Sequence, residues 1–270
     1  MDLGLNGKVA LVTGGGMGVG RAICKQLASE GATVIVNDIL VDRCEAVRDE
    51  IVSAGGKAVA APFDITDLDA TKAGVAQATA QTGAVDILVN NAGVVPERRT
   101  GEIGLPTFRE MAPHFWKKIV DLNYYGVMNC VAAVADGMVE RGSGKIISMV
   151  SDAARLGEAR MAVYSGAKAA IIGFSKAIAK ELGPYGINVN AVSLSAVAHE
   201  NPIAGFQKLT ATVETDDTLK KVLRNYPIGQ GLGRLTRPED AADAVTFLAS
   251  DRSAYITGQV LGVNGGFAMV

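Results

Sequence analysis

Cysteine is scarce in this sequence, with three residues among 270. Cys24, Cys44 and Cys130 include no Cys-x-x-Cys pair, and their odd number does not suit a disulfide framework. Cys24 and Cys130 stand in apolar helical stretches, where a thiol packs as a small hydrophobic group. The scarcity predicts reduced cysteines and a cytoplasmic location.

Histidine and basic residues are also too few for several classes of binding protein. The two histidines, His114 and His199, have no metal-ligand spacing around them, so no metal site is predicted. The formal net charge of −2 argues against a nucleic-acid partner. No apolar run reaches the roughly 20 residues that a membrane helix needs, and we expect neither a signal peptide nor a membrane partner.

Short apolar runs alternate with helical patterns along the whole chain. This alternation is typical of parallel strands joined by helices that cover both faces of the sheet. The sequence therefore predicts a three-layer, doubly wound α/β fold in a single domain of residues 1–270. About seven strands are predicted, at 8–13, 33–37, 57–61, 86–90, 145–150, 187–193 and 259–264.

A glycine-rich segment joins the first predicted strand to the first predicted helix. Residues 13–20 read Thr-Gly-Gly-Gly-Met-Gly-Val-Gly. Glycines let the backbone approach a diphosphate closely, and the following helix directs its positive N-terminus at that diphosphate. A strand, a glycine turn and a helix in this order predict a dinucleotide site. We expect it to include Gly14, Gly16, Met17, Gly18 and Val19.

Asp38 follows the second predicted strand, twenty positions after Gly18. A carboxylate at this point accepts hydrogen bonds from an adenosine ribose and repels a 2′-phosphate. No Arg or Lys lies in the glycine turn before Arg21 or directly after Asp38. The predicted cofactor is therefore NAD(H) rather than NADP(H).

Tyr164 and Lys168 stand four residues apart in a stretch with a helical pattern. This spacing places both side chains on one helix face. Because a nearby ammonium favours the phenolate, we expect Lys168 to lower the pKa of Tyr164 below its usual value of about 10. A phenol of this kind can exchange a proton with an alcohol near neutral pH.

Two further predicted strands end in polar residues. Residues 86–93 read Asp-Ile-Leu-Val-Asn-Asn-Ala-Gly, and residues 145–151 read Lys-Ile-Ile-Ser-Met-Val-Ser. In open parallel sheets, ligands bind beyond the carboxyl ends of the strands. Ser151, thirteen residues before Tyr164, is therefore placed where its hydroxyl can meet a substrate.

Together these motifs resemble the short-chain dehydrogenase/reductase family over nearly the whole chain. The glycine motif of the family is met by residues 13–20, and its Asn-Asn-Ala-Gly strand end by residues 90–93. Its adenine-side Asp, helix Asn, and Ser, Tyr and Lys are met in turn by Asp64, Asn123, Ser151, Tyr164 and Lys168. The resemblance implies a Rossmann fold and an NAD(H)-dependent oxidoreductase that interconverts a secondary alcohol and a ketone.

The resemblance also implies a role for each catalytic residue. Tyr164 would act as general acid in reduction and as general base in oxidation, and Lys168 would hold the nicotinamide ribose. Ser151 would hydrogen-bond the substrate oxygen, and Asn123 would hold a water behind Lys168. The cofactor would also contact residues that follow the third and fourth predicted strands: Asp64, Ile65, Asn91, Ala92 and Gly93.

The sequence departs from the family pattern after the sixth predicted strand. Where the family has a Pro-Gly pair, this chain has Leu194-Ser195, and the Thr that follows four residues later in the family is also replaced. The backbone of Val197 remains able to bind the nicotinamide carboxamide. For His199 three alternatives stay open: it replaces the Thr, touches the substrate or points into solvent.

A substrate lid is expected at about 194–227, where the family places one. This segment mixes apolar and polar residues with Pro and Gly, which suits a mobile cover. Arg155 either meets an anionic group of the substrate or is solvated. The expected substrate pocket consists of Ser151, Arg155, Glu158, Tyr164, Leu194 and Ser195.

Two classes of function stay open from the sequence. The first is an active NAD(H)-dependent dehydrogenase or ketoreductase of a small molecule, with cyclic, aromatic and 3-hydroxyacyl thioester substrates as candidates. The second is a cofactor-binding but catalytically weak subunit beside an active homologue. The helix that bears Tyr164 is apolar around most of its circumference, and the family resemblance implies a homotetramer.

Overall fold

A computed structural model describes residues 2–198 and 216–270 of the chain. Within them, parallel strands form one sheet in the order β3-β2-β1-β4-β5-β6-β7. The strands are β1 Val9–Val12, β2 Thr33–Val36, β3 Lys57–Ala60, β4 Ile87–Asn90, β5 Gly144–Ser151, β6 Ile187–Leu194 and β7 Val260–Val263. Each predicted strand is present, which confirms the doubly wound α/β fold.

Helices follow the strands as the alternating pattern predicted. They are α1 Gly18–Ser29, α2 Val41–Ser53, α3 Leu68–Thr82, α4 Pro96–Thr100, α5 Pro113–Val120, α6 Gly126–Arg141, α7 Ala153–Leu156, α8 Ala162–Leu182, α9 Asp217–Leu223, α10 Pro227–Leu232 and α11 Pro238–Ala249. A π-helical turn, Asp121–Tyr125, lies between α5 and α6. Two 3-10 turns, Gly183–Tyr185 and Asp251–Ser253, follow α8 and α11.

Both faces of the sheet are covered because its central strands are apolar on both sides. Every residue of β1 and of β4 is buried. On one face α1, α2 and α11 pack through residues that include Ile23, Val47 and Val245. On the other face α3, α6 and α8 pack through residues that include Val75, Val131 and Ala179.

The strand order places the predicted functional segments at one edge of the sheet. Chain progression reverses between β1 and β4, and such a reversal opens a crevice beyond the carboxyl ends of the strands. The register pairs Val12 with Val89, and Ser151 with Leu194. The glycine turn, the segment after β4 and Ser151 therefore meet at the same edge.

Candidate active site

A cavity of about 590 Å³ lies along the carboxyl ends of the strands from β3 to β6. Most of the predicted cofactor residues line it: Gly14, Met17, Gly18, Val19, Asp38, Asp64, Ile65, Asn91, Ala92, Gly93 and Val197. Ser151, Tyr164 and Lys168 also line it, as do Leu194 and Ser195. The structure thus brings the glycine turn and the predicted catalytic residues into one cavity.

The glycine turn has the backbone that a closely approaching ligand requires. Gly14 has a φ of 60° and Gly18 a φ of 53°, in the left-handed region that favours glycine. A Cβ on Gly20 would lie 2.1 Å from the carbonyl oxygen of Gly14, so a side chain cannot be accommodated there. Because α1 begins at Gly18, its free amides face the cavity and fit an anion such as a diphosphate.

Asn91 holds this turn in place rather than only lining the cavity. Its side-chain amide donates to the carbonyl oxygens of Thr13 and Gly14, at 3.0 Å each. The hydroxyl oxygen of Thr13 accepts in return from the backbone amides of Asn91 and Ala92, at 3.0 and 3.2 Å. These bonds join the ends of β1 and β4, so the glycine turn keeps a fixed shape.

Asp38 lines the cavity after β2, and its role as a ribose-binding carboxylate stays a prediction. Its side chain is buried, and one carboxylate oxygen accepts from the amide of Leu40 at 3.2 Å. A Cβ on Gly16 would lie 2.8 Å from the other oxygen, so Gly16 leaves room for Asp38 and is not itself among the lining residues. Arg43, which follows in α2, lines the cavity as well. The sequence did not identify Arg43 because it stands five positions beyond the carboxylate.

Asp64 lines the cavity in the segment after β3, the strand next to β2 in the sheet. One of its carboxylate oxygens accepts from the backbone amide and the hydroxyl of Thr66, at 2.9 and 2.8 Å. These bonds orient the side chain and order the turn that carries Ile65. The residues from Gly14 to Asp64 therefore supply the glycine turn, the helix terminus and the carboxylates that fit a dinucleotide.

Lys168 and Tyr164 share one face of α8, as predicted, but the expected effect of Lys168 on the phenol is wrong. The ammonium group donates to the carbonyl oxygen of Met149 at 2.8 Å, and its nitrogen lies 5.9 Å from the centre of the Tyr164 ring. Burial raises the pKa of the Tyr164 phenol above its usual value. Burial also lowers the pKa of Lys168 to about 8.

Two other groups oppose the effect of burial on the phenol. A hydrogen bond with the Ser151 side chain favours the phenolate of Tyr164 and lowers its pKa. The positive charge of Arg98 acts in the same direction. Arg98 is half-buried in α4 and donates to the carbonyl oxygen of Gly104 at 3.3 Å. The sequence missed Arg98, because no motif spacing connects it to Tyr164.

Asn123 lies behind Lys168, within the π-helical turn and almost fully buried. Its amide donates to the carbonyl oxygen of Ile119 at 3.0 Å. Its side-chain oxygen has no hydrogen-bond partner among the described residues. A Cβ on Gly93 would lie 2.9 Å from this oxygen and 3.1 Å from Nζ of Lys168. Gly93 is therefore needed for the close approach of the two side chains, and a water held by Asn123 stays a prediction.

The structure does not bring all the predicted pocket residues into the cavity. Arg155 donates to the backbone carbonyl of Val270, and Glu158 is exposed; neither lines the cavity. Their place in the substrate pocket therefore stays a prediction, which this cavity does not support. His199 lies outside the described residues, as does the central part of the expected lid at 194–227.

The fold and this cavity define a class: an α/β protein suited to bind a dinucleotide. The described residues contain no cluster of His, Cys, Asp or Glu that suits a metal ion. Within the same parts of the chain, no helix is both long enough and apolar enough to cross a membrane.

Comparison with known proteins identifies the family. The short chain dehydrogenase model matches residues 8–204. A 3-oxoacyl-[acyl-carrier-protein] reductase FabG of Staphylococcus epidermidis is 36% identical over 263 residues, which cover 97% of this chain and 99% of the relative. The FabG protein of Escherichia coli K12 is 36% identical over 269 residues, which cover 99% of this chain and all of the relative.

Similarity to a solved structure indicates the same family. The crystal structure of a 3-oxoacyl-[acyl-carrier protein] reductase from Brucella melitensis, with bound NAD, has a TM-score of 0.84 and 31% sequence identity. The match covers all of this chain and 95% of the other. The chain therefore belongs to the short-chain dehydrogenase/reductase family of oxidoreductases and has its Rossmann fold.

Proposed function

We propose that the protein is an NAD(H)-dependent ketoreductase and secondary-alcohol dehydrogenase. The observation that carries the proposal is the arrangement of Ser151, Tyr164 and Lys168 in the cavity that also contains the glycine turn. A ligand bound along the strand ends would have its diphosphate at the N-terminus of α1 and its reactive ring near Tyr164. Three of the four predicted catalytic residues thus line this cavity, and the fourth, Asn123, lies beside Lys168.

The proposed mechanism divides the work between cofactor and protein. The nicotinamide, when bound, supplies or accepts the hydride. Tyr164 gives its phenolic proton to the substrate oxygen in reduction and removes that proton in oxidation. Ser151 hydrogen-bonds the same oxygen and stabilises the charge that develops there. Lys168, whose ammonium group is held by the carbonyl oxygen of Met149, would hydrogen-bond the ribose hydroxyls and orient them.

Asp38 supports a preference for NAD(H). Its buried carboxylate would accept hydrogen bonds from the adenosine ribose and repel a 2′-phosphate. Arg43 lines the same cavity and would attract a phosphate, so the preference depends on the balance of these two charges. We propose that Asp38 prevails, because its carboxylate follows β2 directly, where the ribose of a dinucleotide is bound in this fold.

For the substrate, we propose a 3-oxoacyl thioester as the first compound to examine. The support comes from the two relatives described above, which match nearly the whole chain and are both named 3-oxoacyl-[acyl-carrier-protein] reductase. Cyclic and aromatic ketones are the other candidates. Leu194 and Ser195 line the cavity where the family pattern has Pro-Gly, so substrate choice can differ from that of the relatives.

The test is the steady-state oxidation of NADH by the purified chain with a panel of these ketones. Each compound is also measured with NADPH, and the direct binding of NADH is measured by its fluorescence. We expect saturable turnover with at least one ketone and a higher kcat/KM with NADH. Binding of NADH without turnover of any ketone would reject the proposal in favour of a catalytically weak subunit.

A further inference from the structure

A buried carboxylate stands directly beside the predicted catalytic serine. Asp152 follows Ser151 and is almost fully buried. Among the described residues it has no ion pair with a Lys or Arg. A buried carboxylate without a cation is stable only if hydrogen-bond donors satisfy its oxygens. The hydrogen-bond donors around Asp152 therefore indicate which segments of the chain it holds together.

The two carboxylate oxygens of Asp152 bind two different parts of the chain. Oδ1 accepts from the hydroxyl of Ser193 in β6 at 2.6 Å, and Oδ2 accepts from the side-chain amide of Asn264 at 2.8 Å. The backbone amide of Asp152 donates to the carbonyl oxygen of Leu194 at 2.9 Å. Ser193 and Asn264 are also buried. One residue thus joins the end of β5 to the end of β6 and to the segment after β7.

The segment after β7 is ordered by the same amide. The second hydrogen of the Asn264 amide is donated to the carbonyl oxygen of Ala268 at 2.9 Å, and its oxygen accepts from the amide of Gly266 at 3.1 Å. Phe267 stacks on Tyr226 with ring centres 5.0 Å apart. Arg155, which follows Asp152 by one turn, donates to the carbonyl of Val270. The C-terminal segment, residues 264–270, is therefore tied to the backbone beside Ser151.

These contacts lie where the chain departs from the family pattern. Leu194-Ser195 replaces the Pro-Gly pair, so the backbone after β6 lacks the stiffness of proline. The bonds from Asp152 to Ser193 and Leu194 hold this backbone through hydrogen bonds instead. We infer that Asp152 is a positioning residue that fixes Ser151 and the C-terminal segment at the substrate end of the cavity. The inference rests on the proposed function only in taking Ser151 to bind the substrate oxygen.

The experiment compares Asp152→Ala with Asp152→Asn in the full chain. The Ala variant removes both acceptors and leaves the donors of Ser193 and Asn264 unpaired. The Asn variant keeps both hydrogen bonds. Its side-chain oxygen can accept from Asn264, and its amide can donate to the Ser193 hydroxyl, which rotates to become the acceptor. We expect Asp152→Ala to lower kcat by about tenfold or more, since small misplacements of reacting groups have large effects. NADH binding stays unchanged, and Asp152→Asn keeps most of the kcat.

Hydrogen exchange supplies a measurement that does not depend on activity. We expect faster exchange of residues 151–157 and 264–270 in Asp152→Ala but not in Asp152→Asn. If Asp152→Ala does not fold, Ser193→Ala replaces it. This variant removes one hydrogen bond to Asp152, and we expect a smaller increase in exchange of the same segments. The matched control is Asn190→Ala: Asn190 is equally buried in β6 but binds Ile256 and Gln259 away from the site. Asn190→Ala should lower the melting temperature without changing kcat.

The outcomes separate this inference from the proposed function. Unchanged exchange in both segments, or an unchanged kcat, in Asp152→Ala would overturn the positioning role. An Asn variant as impaired as the Ala variant would also overturn it, because the negative charge rather than the hydrogen bonds would then be essential. If the wild type reduces no ketone, the proposed function fails, while the exchange data still decide whether Asp152 holds these segments.

Discussion

The ammonium nitrogen of Lys168 lies 5.9 Å from the centre of the Tyr164 ring and donates its hydrogen bond to Met149, not to the phenol. Lys168 is buried and Tyr164 is half-buried, and desolvation raises the pKa of Tyr164 and lowers that of Lys168 to about 8. Ser151 and Arg98, rather than Lys168, favour the phenolate.

Tyr164→Phe should abolish most turnover without loss of NADH binding. The phenol is the proposed proton donor, and general acid–base groups contribute about 10² to 10⁴ in rate. Steady-state kinetics and NADH fluorescence measure the two properties. The matched control is Tyr185→Phe, because Tyr185 is half-exposed at the end of α8 and should not affect kcat. Retention of more than about a tenth of the activity by Tyr164→Phe would contradict the assignment.

Arg98→Met should move the pH profile of alcohol oxidation to higher pH. Oxidation requires the phenolate of Tyr164, and the positive charge of Arg98 lowers the pKa of that phenol. Removing the charge raises the pKa of Tyr164, so kcat/KM for oxidation increases only at higher pH. Arg109→Met is the control, since Arg109 is exposed in the segment between α4 and α5. An identical profile for Arg98→Met and the wild type would show that Arg98 does not act on the phenol.

Asp38→Ala combined with Ile39→Arg should shift cofactor preference toward NADP(H). The change removes repulsion of the 2′-phosphate and adds a partner for it. A charged hydrogen bond is worth about 1.5–3 kcal/mol, which corresponds to roughly tenfold to hundredfold in the ratio of kcat/KM values. Asp42→Ala, in the exposed first turn of α2, should leave the ratio unchanged. A wild type that uses NADPH as well as NADH would refute the role given to Asp38.

Lys168→Met should stabilise the fold at neutral pH although it removes activity. The lowered pKa, about 8 in the folded chain against an ordinary 10.5, means that the unfolded state binds more protons between these values. Wild-type stability therefore rises as the pH increases from about 8 to 10.5, and below that window the buried charge is destabilising. Lys168→Met relieves the cost of the buried charge but also loses the hydrogen bond to Met149. The net increase in the free energy of unfolding at pH 7 should be about 2 kcal/mol.

Urea unfolding of the wild type and Lys168→Met at several pH values checks this prediction. The difference in free energy of unfolding should shrink as the pH rises toward 10. Lys176→Met is the control, because Lys176 is exposed on the same helix and should show no such trend. A difference that grows with pH would have the wrong sign and would refute the pKa of Lys168.

Light scattering should give a mass near four times that of the 27.9 kDa chain. Small residues form an exposed stripe on α8, at Ala162, Gly166, Ala169, Gly173 and Ala177. Apolar side chains are exposed in and after β7, among them Leu261 and Met269. Gly173→Glu should reduce the mass without unfolding the chain, because a Cβ there meets no atom within 4 Å. A wild-type mass near that of one chain would rule out the predicted tetramer.

The sequence by itself determined the strands, the glycine turn and the position of the predicted catalytic residues. The alternation of apolar runs with helical patterns is a local property, and parallel strands necessarily bring their carboxyl ends to one edge. For this reason the sequence alone predicts that Ser151, Tyr164 and Asn91 meet at one edge of the sheet, and all three line the cavity there. The shared face of Tyr164 and Lys168 follows from helix geometry alone.

Only the tertiary structure decided the contacts between distant segments. Asp152 and Asn264 stand 112 positions apart, and no local pattern predicts their hydrogen bond. The same holds for Arg98 beside Tyr164, and for Arg155, which binds Val270 instead of lining the cavity. The pKa of Tyr164 depends on burial by several elements, so the spacing to Lys168 gave the wrong direction. Local order follows from neighbouring residues, whereas burial and charge depend on how the whole chain packs.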